Sequence, residues 1–176
     1  WPLRATGVTL GDMLASGRSI VGGLLGGFVF AECAKPLFRY TLPPNDRFAA
    51  VLPFSLAVGR LGCHFTGCCL GLPHEGALSV RDAGGVSRWP IPLMEMGFDL
   101  VVGLVFLRMV RAGALRGRLF SVFLVAYGLW RFATEFLRDT PKLLGPLSLY
   151  QAMAALMVLV GATATWLRTP RAPQIA

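Results

Sequence analysis

The residues best equipped for chemistry lie in Gly59–Gly71, which reads GRLGCHFTGCCLG. Arg60, His64 and three cysteines, Cys63, Cys68 and Cys69, follow the end of an apolar segment there. An arginine set against hydrocarbon is costly, so such residues face a bundle interior or a water-filled cavity and mark a ligand or reaction site. A second apolar segment repeats the pattern with Arg131 and Glu135. A guanidinium is always charged and presents a planar fork of donors suited to phosphate. Two arginines in separate apolar segments therefore point to an anionic ligand, such as a phospholipid head group. For Arg131 the competing explanation is an internal ion pair with Glu135, one turn along the same helix face. Arg60 has no acid at helical spacing, which favours ligand binding there.

The cysteines allow three readings. An outward-facing location favours a disulfide, Cys63–Cys68 or Cys63–Cys69, because that compartment is oxidising. Small apolar cysteines also simply pack well. A metal site or catalytic thiol is the third, but C-H-x-x-x-C-C lacks the paired C-x-x-C spacing of structural sites, so no metal is expected. An unperturbed imidazole has its pKa near neutrality, which makes His64 the candidate general base, against an interfacial hydrogen-bonding role. His74, in the loop segment HEG, reads as solvated. Glu95 and Asp99 lie four apart on one helix face, where acids inside a span default to function. A cap, or pairing with Arg60, would account for them equally.

These side chains need a bilayer scaffold. Apolar residues make up 55% of the chain and charged residues 15%, against about 45–50% and about 25% in soluble domains; mean hydropathy is +0.61. Apolar segments at 19–38, 48–62, 91–107, 119–137 and 146–167 lack period-2 alternation, so a single all-α transmembrane bundle of about five spans is expected. The second and third are short for a full crossing. Gly22, Gly23, Gly26 and Gly27 in the first fit close helix packing, or a close approach to lipid or substrate.

The net charge of +8 sits in short loops between apolar runs, which fits anionic lipid and not nucleic acid. Lys35, Arg39 and Arg47, then Arg108, Arg111, Arg116 and Arg118, then Arg168 and Arg171 load alternate connections. The positive-inside rule makes those connections and the C-terminus cytoplasmic and places the cysteine motif outside. Arg4, Arg18, Arg81, Arg88, Arg138 and Lys142 remain on the outer side. The chain begins at Trp1 without a signal-peptide pattern and reads as a fragment or as lacking its upstream part.

Five ordered blocks resemble the prolipoprotein diacylglyceryl transferase family. SIVGGLLGG is similar to S-x-H-G-G-L-x-G, and GRLGCHFTGCCLG to G-R-x-G-N-F-x-N-x-E-x-x-G. WPIPLMEM resembles H-P-x-Q-L-Y-E-A through Pro90, Leu93 and Glu95. YGLWRFATEFLRDTP resembles Y-G-x-x-R-F-x-x-E-F-x-R through Tyr127, Gly128, Arg131, Phe132, Glu135, Phe136 and Arg138. LSLYQ keeps Ser148 and Gln151 of L-S-x-G-Q.

The resemblance implies a multi-pass protein of the bacterial inner membrane that moves diacylglyceryl from phosphatidylglycerol to the lipobox cysteine of a lipoprotein precursor. It implies catalysis by Arg60, Arg131 and His64. Substrate contacts would come from Gly22, Gly23, Glu95, Tyr127, Glu135, Arg138, Ser148 and Gln151, with no cofactor. The family usually has seven spans, and the first two have no counterpart here. Val21 stands where the family has a histidine, Cys63 and Thr66 replace its asparagines, Cys68 its acid, and Trp89 the histidine of H-P. The alternative is a relative that keeps the arginines but acts as a membrane thiol-disulfide or lipid-binding protein.

Overall fold

The computed structural model describes residues 20–39, 46–140 and 147–168. Five long helices carry the fold: α1 (Ile20–Leu37), α2 (Asp46–Phe65), α3 (Ile91–Arg111), α4 (Leu119–Thr134) and α5 (Leu149–Leu167). A 3₁₀ turn, Glu135–Leu137, extends α4. Between α2 and α3 a small hairpin pairs β1 (Val80–Arg81) with β2 (Ser87–Arg88), Val80 opposite Arg88 and Arg81 opposite Ser87.

The expected helical membrane bundle is present, and the chain is a multi-pass membrane protein. Among the described residues, four helical stretches are long and apolar enough to cross a bilayer: Ile20–Leu37, Asp46–Phe65, Leu119–Leu137 and Leu149–Leu167. The fifth helix, α3, matches them in length at 21 residues but carries Glu95, Asp99, Arg108 and Arg111. Its two acids are fully buried in the bundle, while Val101 and Leu104 face outward. The expectation that the second and third segments fall short of a span is corrected, since α2 has 20 residues and α3 has 21. At about 1.5 Å per residue each reaches about 30 Å. Arg60 and His64 sit inside α2 because a paired charge does not interrupt backbone hydrogen bonding. The proposed starts at Ser19 and Pro146 lie outside the described residues, as do Arg4, Arg18, Lys142 and Arg171.

Local chemistry explains the helix ends. Pro90 and Pro92 bracket the start of α3, where a missing N–H costs nothing. A capping box opens α5: the Ser148 hydroxyl accepts from the Gln151 backbone N–H at 3.2 Å, and the Gln151 side-chain Oε1 accepts from the Ser148 backbone N–H at 2.9 Å. At the opposite end of the bundle, Asp46 accepts from the N–H groups of Gly117 (2.6 Å) and Leu119 (3.2 Å), tying α2 to the start of α4.

Neighbouring helices alternate in direction. Arg60 near the end of α2 meets Glu95 at the start of α3, and Arg168 at the end of α5 meets Glu32 near the end of α1. One end of the bundle therefore gathers Lys35, Arg39, Arg47, Arg108, Arg111, Arg116, Arg118 and Arg168. The other gathers the ends of α2 and α4 and the starts of α3 and α5.

The core lies where Leu119, Phe123, Leu124 and Tyr127 of α4 bury against Met157 of α5. Large apolar side chains such as Phe30, Val58, Leu159 and Trp166 point away from it, as lipid-facing residues must. Gly128 and Gly161 supply the α4–α5 approach. A Cβ at Gly161 would lie 2.8 Å from the Ser121 carbonyl oxygen and 3.0 Å from Leu124 Cβ, and one at Gly128 would lie 2.7 Å from Val158 Cγ2. The expected glycine packing on α1 is corrected: a Cβ at Gly23, Gly26 or Gly27 would meet nothing within 4 Å. The face of α1 that packs is Val21, Leu25 and Phe28.

Gly161→Val is expected to cost about 1–3 kcal/mol of stability, the usual range for overpacking, and to lower the melting temperature in detergent. Gly26→Ala, which fills open space in a helix, should not lower it. Equal melting temperatures for wild type and Gly161→Val would contradict the close α4–α5 contact.

Candidate functional site

At the end where α2 and α4 finish, three guanidiniums converge on one carboxylate. Glu95, in the first turns of α3, is fully buried. Its Oε1 accepts from Arg131 Nη1 at 3.2 Å and from Arg138 Nη2 at 2.8 Å. Its Oε2 pairs with Arg60 Nε. Arg131 also pairs through Nη2 with Glu135 Oε2, one turn along, at 2.8 Å. Glu135 Oε1 in turn accepts from the Ser148 hydroxyl at 3.0 Å and the Thr140 hydroxyl at 2.7 Å. Both arginine readings are thereby answered in geometric terms: Arg131 has its internal ion pair, and Arg60 finds across α3 the acid that its own helix lacks.

The shell is tight. Arg60 is 8% exposed and Arg131 7%. Tyr127, buried on α4, lies beside the Arg60 guanidinium, and Arg131 sits 5.7 Å from the centroid of the Tyr150 ring. Asp99, one turn beyond Glu95, is buried with no hydrogen-bond partner on either carboxylate oxygen. In direct contacts, three guanidiniums meet only two carboxylates, Glu95 and Glu135. One guanidinium is left over in those direct pairs, and the buried Asp99 carboxylate lies within electrostatic reach of Arg60.

The cysteines form a second group at the end of α2. Gly67 takes φ +64 and Cys69 φ +63, so the chain doubles back and Cys68 N–H donates to the Cys63 carbonyl at 3.1 Å. This turn defeats the linear spacing argument: the three sulfurs all lie within 4.8 Å of one another and are free thiols. The Thr66 hydroxyl, 3.4 Å from Cys68 Sγ, holds that thiol below its ordinary value, with smaller contributions from Cys69, Cys63 and the Arg60 charge. Partial burial and the neighbouring Cys68 push the Cys69 thiol up to about 11. Cys68 therefore becomes thiolate at lower pH than Cys69.

His64 lies one turn beyond Arg60, half-buried, with Nδ1 enclosed and without a hydrogen-bond partner. Among the described residues no hydrogen bond joins it to the arginine cluster. Gly22 and Gly23 lie in the first turn of α1 at this same end of the bundle, Gly22 half-buried and Gly23 exposed.

The segment after the cysteines folds back over the cluster. Gly71 N–H donates to the Trp89 carbonyl at 2.9 Å, and Leu72 N–H to the Leu137 carbonyl at 2.8 Å, so the loop is fastened to the turn that carries Arg138. Any side chain at Gly71 would strike the Leu137 carbonyl, Trp89 and Ile91. The reading of His74 as solvated is corrected, because its ring stacks on Trp89 at 3.7 Å between centroids. Asp82 closes the hairpin, accepting from Arg88 Nε at 2.6 Å and from the Gly84 and Val86 N–H groups at 2.9 Å. Thr140 and the His74–Trp89 stack went unread in the sequence. The stack had a residue-type signal in its two aromatic rings, but Thr140 carries no pattern of its own.

Comparison with known proteins identifies the family. The family model for prolipoprotein diacylglyceryl transferase matches residues 6–167. The chain is 31% identical over 167 residues to the phosphatidylglycerol–prolipoprotein diacylglyceryl transferase of Aeromonas hydrophila, covering 90% of this chain and 61% of that protein. It is 33% identical over 169 residues to the Bordetella parapertussis enzyme of that name, covering 89% and 63%. A Clostridium perfringens relative, named as the second such transferase, is 29% identical over 150 residues, covering 81% and 57%. The chain thus spans about 60% of the length of these relatives. No solved structure matches it. With most of its length inside the family model, and the family's arginines gathered at one end of a helical membrane bundle, the chain belongs to the prolipoprotein diacylglyceryl transferase family.

Proposed function

We propose that this protein transfers diacylglyceryl from phosphatidylglycerol to the thiol of a lipobox cysteine, at the outer face of the bacterial inner membrane. The observation that carries the reading is the convergence of three guanidiniums, Arg60 and Arg131 buried and Arg138 half-buried, whose direct ion pairs reach only two carboxylates. A phosphodiester supplies a negative charge and the geometry that arginine forks accept. The relatives' names state the same donor and acceptor.

The chemistry follows from charge. The thiolate is the nucleophile. Its sulfur attacks the diacylglyceryl carbon that bears the phosphate ester oxygen, the C–O bond breaks, and glycerol phosphate leaves with the electron pair. Arg60 and Arg131 stabilise the charge growing on the phosphate, the type of contribution that dominates many enzymes. Glu95, Arg138, Tyr127, Glu135, Ser148 and Gln151 hold those arginines in place, and Gly22 and Gly23 leave room for lipid at the same end. Val21, where the family has its histidine, is buried at 1% exposure and cannot take a proton. His64, one turn from Arg60, takes that role.

A second reading rests on the thiols. Three free cysteines within 4.8 Å are the equipment of a membrane thiol-disulfide protein, in which the arginines only bind lipid. The transfer assay separates the two. Lipidation of a lipobox peptide in phosphatidylglycerol vesicles should yield a thioether product with the full-length protein. Arg60→Gln should lower the rate about 10²–10³-fold, the range for a lost oxyanion donor. His64→Ala should lower it about 10²–10⁴-fold. No thioether from wild type, together with disulfide exchange dependent on Cys63 and Cys68, would replace the transferase reading with the second.

Orientation follows from the alternating helices, which segregate Lys35, Arg39, Arg47, Arg108, Arg111, Arg116, Arg118 and Arg168 to one end. By the positive-inside rule that end and the C-terminus are cytoplasmic. A cysteine introduced at Ala77, in a chain whose native cysteines are serine, should react with an impermeant maleimide in spheroplasts. Reaction only after the membrane is opened would reverse the orientation.

A further inference from the structure

We propose that Cys63, Cys68 and Cys69 form a three-thiolate site for a zinc ion whose fourth position takes the incoming acceptor thiol. The binding site stands on geometry alone, and its role toward the acceptor rests on the transferase reading above. Zinc bonds to thiolate at about 2.3 Å, and tetrahedral coordination then separates ligand sulfurs by about 3.8 Å. The three sulfurs here already lie within 4.8 Å of one another, with Cys68 and Cys69 at 3.4 Å. Closing the site needs side-chain rotation, not rearrangement of α2.

The backbone supports the same conclusion. Cys69 adopts φ +63, a left-handed conformation that side chains rarely take without a compensating interaction. That conformation brings its sulfur back beside Cys68. Three thiolates and one Zn²⁺ carry one net negative charge, and two cations face them: Arg60 acts on Cys63 and Cys68, and Arg138 on Cys69. Cys68 and Cys69 are exposed and Cys63 is half-buried, so one coordination position stays open, as in sites where zinc binds a reactant. Soft thiolates select zinc over the hard cations.

The site would act together with His64 in activating the acceptor thiol. The acceptor thiol must lose its proton before it can attack, and Val21 offers no base. Coordination of the thiol sulfur to zinc releases its proton, which His64 or water accepts. The bound thiolate then forms the C–S bond as the C–O bond to phosphate breaks, leaving zinc with its three cysteines. No electron is exchanged with an outside oxidant or reductant.

The test uses the full-length protein, purified reduced, stripped with chelator and reloaded with Zn²⁺ alone. One zinc per chain should survive gel filtration, and alkylation of Cys63, Cys68 and Cys69 should slow at least tenfold on loading, read by mass spectrometry without any variant. Cys63→Ser, Cys68→Ser and Cys69→Ser should each lower zinc retention at least tenfold while helical circular dichroism is unchanged. Co²⁺-loaded protein should show sulfur-to-cobalt charge transfer, and its d–d bands should shift on adding a lipobox peptide but not its serine counterpart. Absent zinc retention, unprotected cysteines, or a Cys63–Cys68 disulfide that persists under reductant would overturn the site. Retained zinc with cobalt bands indifferent to the thiol peptide would overturn the acceptor role. Intact metal and peptide responses without diacylglyceryl transfer would leave this site standing and defeat the transferase reading instead.

Discussion

Glu95 is the constraint on which the functional end of this molecule depends. Three guanidiniums from α2, α4 and the turn after α4 reach one fully buried carboxylate. Without it they would repel across a medium that screens poorly. Removing one partner of a buried ion pair typically costs about 3–5 kcal/mol, because the other charge is left uncompensated. Such a pair is weak evidence for stability but strong evidence for position. The attraction fixes where α2, α3 and α4 end relative to one another, and hence where an anion can be bound.

The membrane explains why the cluster is internal. Hydrocarbon offers no hydrogen bonds, so polar groups turn inward, and the outward surface is left to residues such as Phe30, Val58, Leu159 and Trp166. The α4–α5 contact then depends on small residues and not on a hydrophobic drive between helices. Gly128 and Gly161 do that work here. The similar glycines of α1 do not, and Gly23, Gly26 and Gly27 are left open. The relatives are about 1.5 times as long, judged from the shares matched.

What was legible in the sequence was whatever depends on composition and local period. Five apolar runs, the basic connections and the arginines inside apolar segments all read directly from residue types. Arg131 with Glu135 also read directly, since both lie on one helix. Contacts between elements did not. Arg60 has no acid at helical spacing on its own helix, and pairing with Glu95, 35 positions away, could be offered from the sequence only as one alternative. The cysteines looked wrongly spaced for a metal because the turn through Gly67 and Cys69 cannot be seen in linear order. His74 looked solvated because its partner, Trp89, lies across a hairpin that no strand-length run announces.

The substitutions that separate this chain from its family's motif form a coherent set once placed in three dimensions. Losing a histidine at Val21 removes a proton acceptor from α1, where the valine now packs into the core. The cysteine replacements all fall at the end of α2, within reach of the same arginines. A base and a metal thiolate site are alternative solutions to one problem, lowering the cost of making a thiolate beside a phosphodiester. The arginine–Glu95 cluster has the residues of the family pattern at Arg60, Glu95, Arg131 and Arg138. On the transferase reading proposed above, the cysteine changes and Val21 bear on the handling of the acceptor, while the arginine cluster keeps its residues.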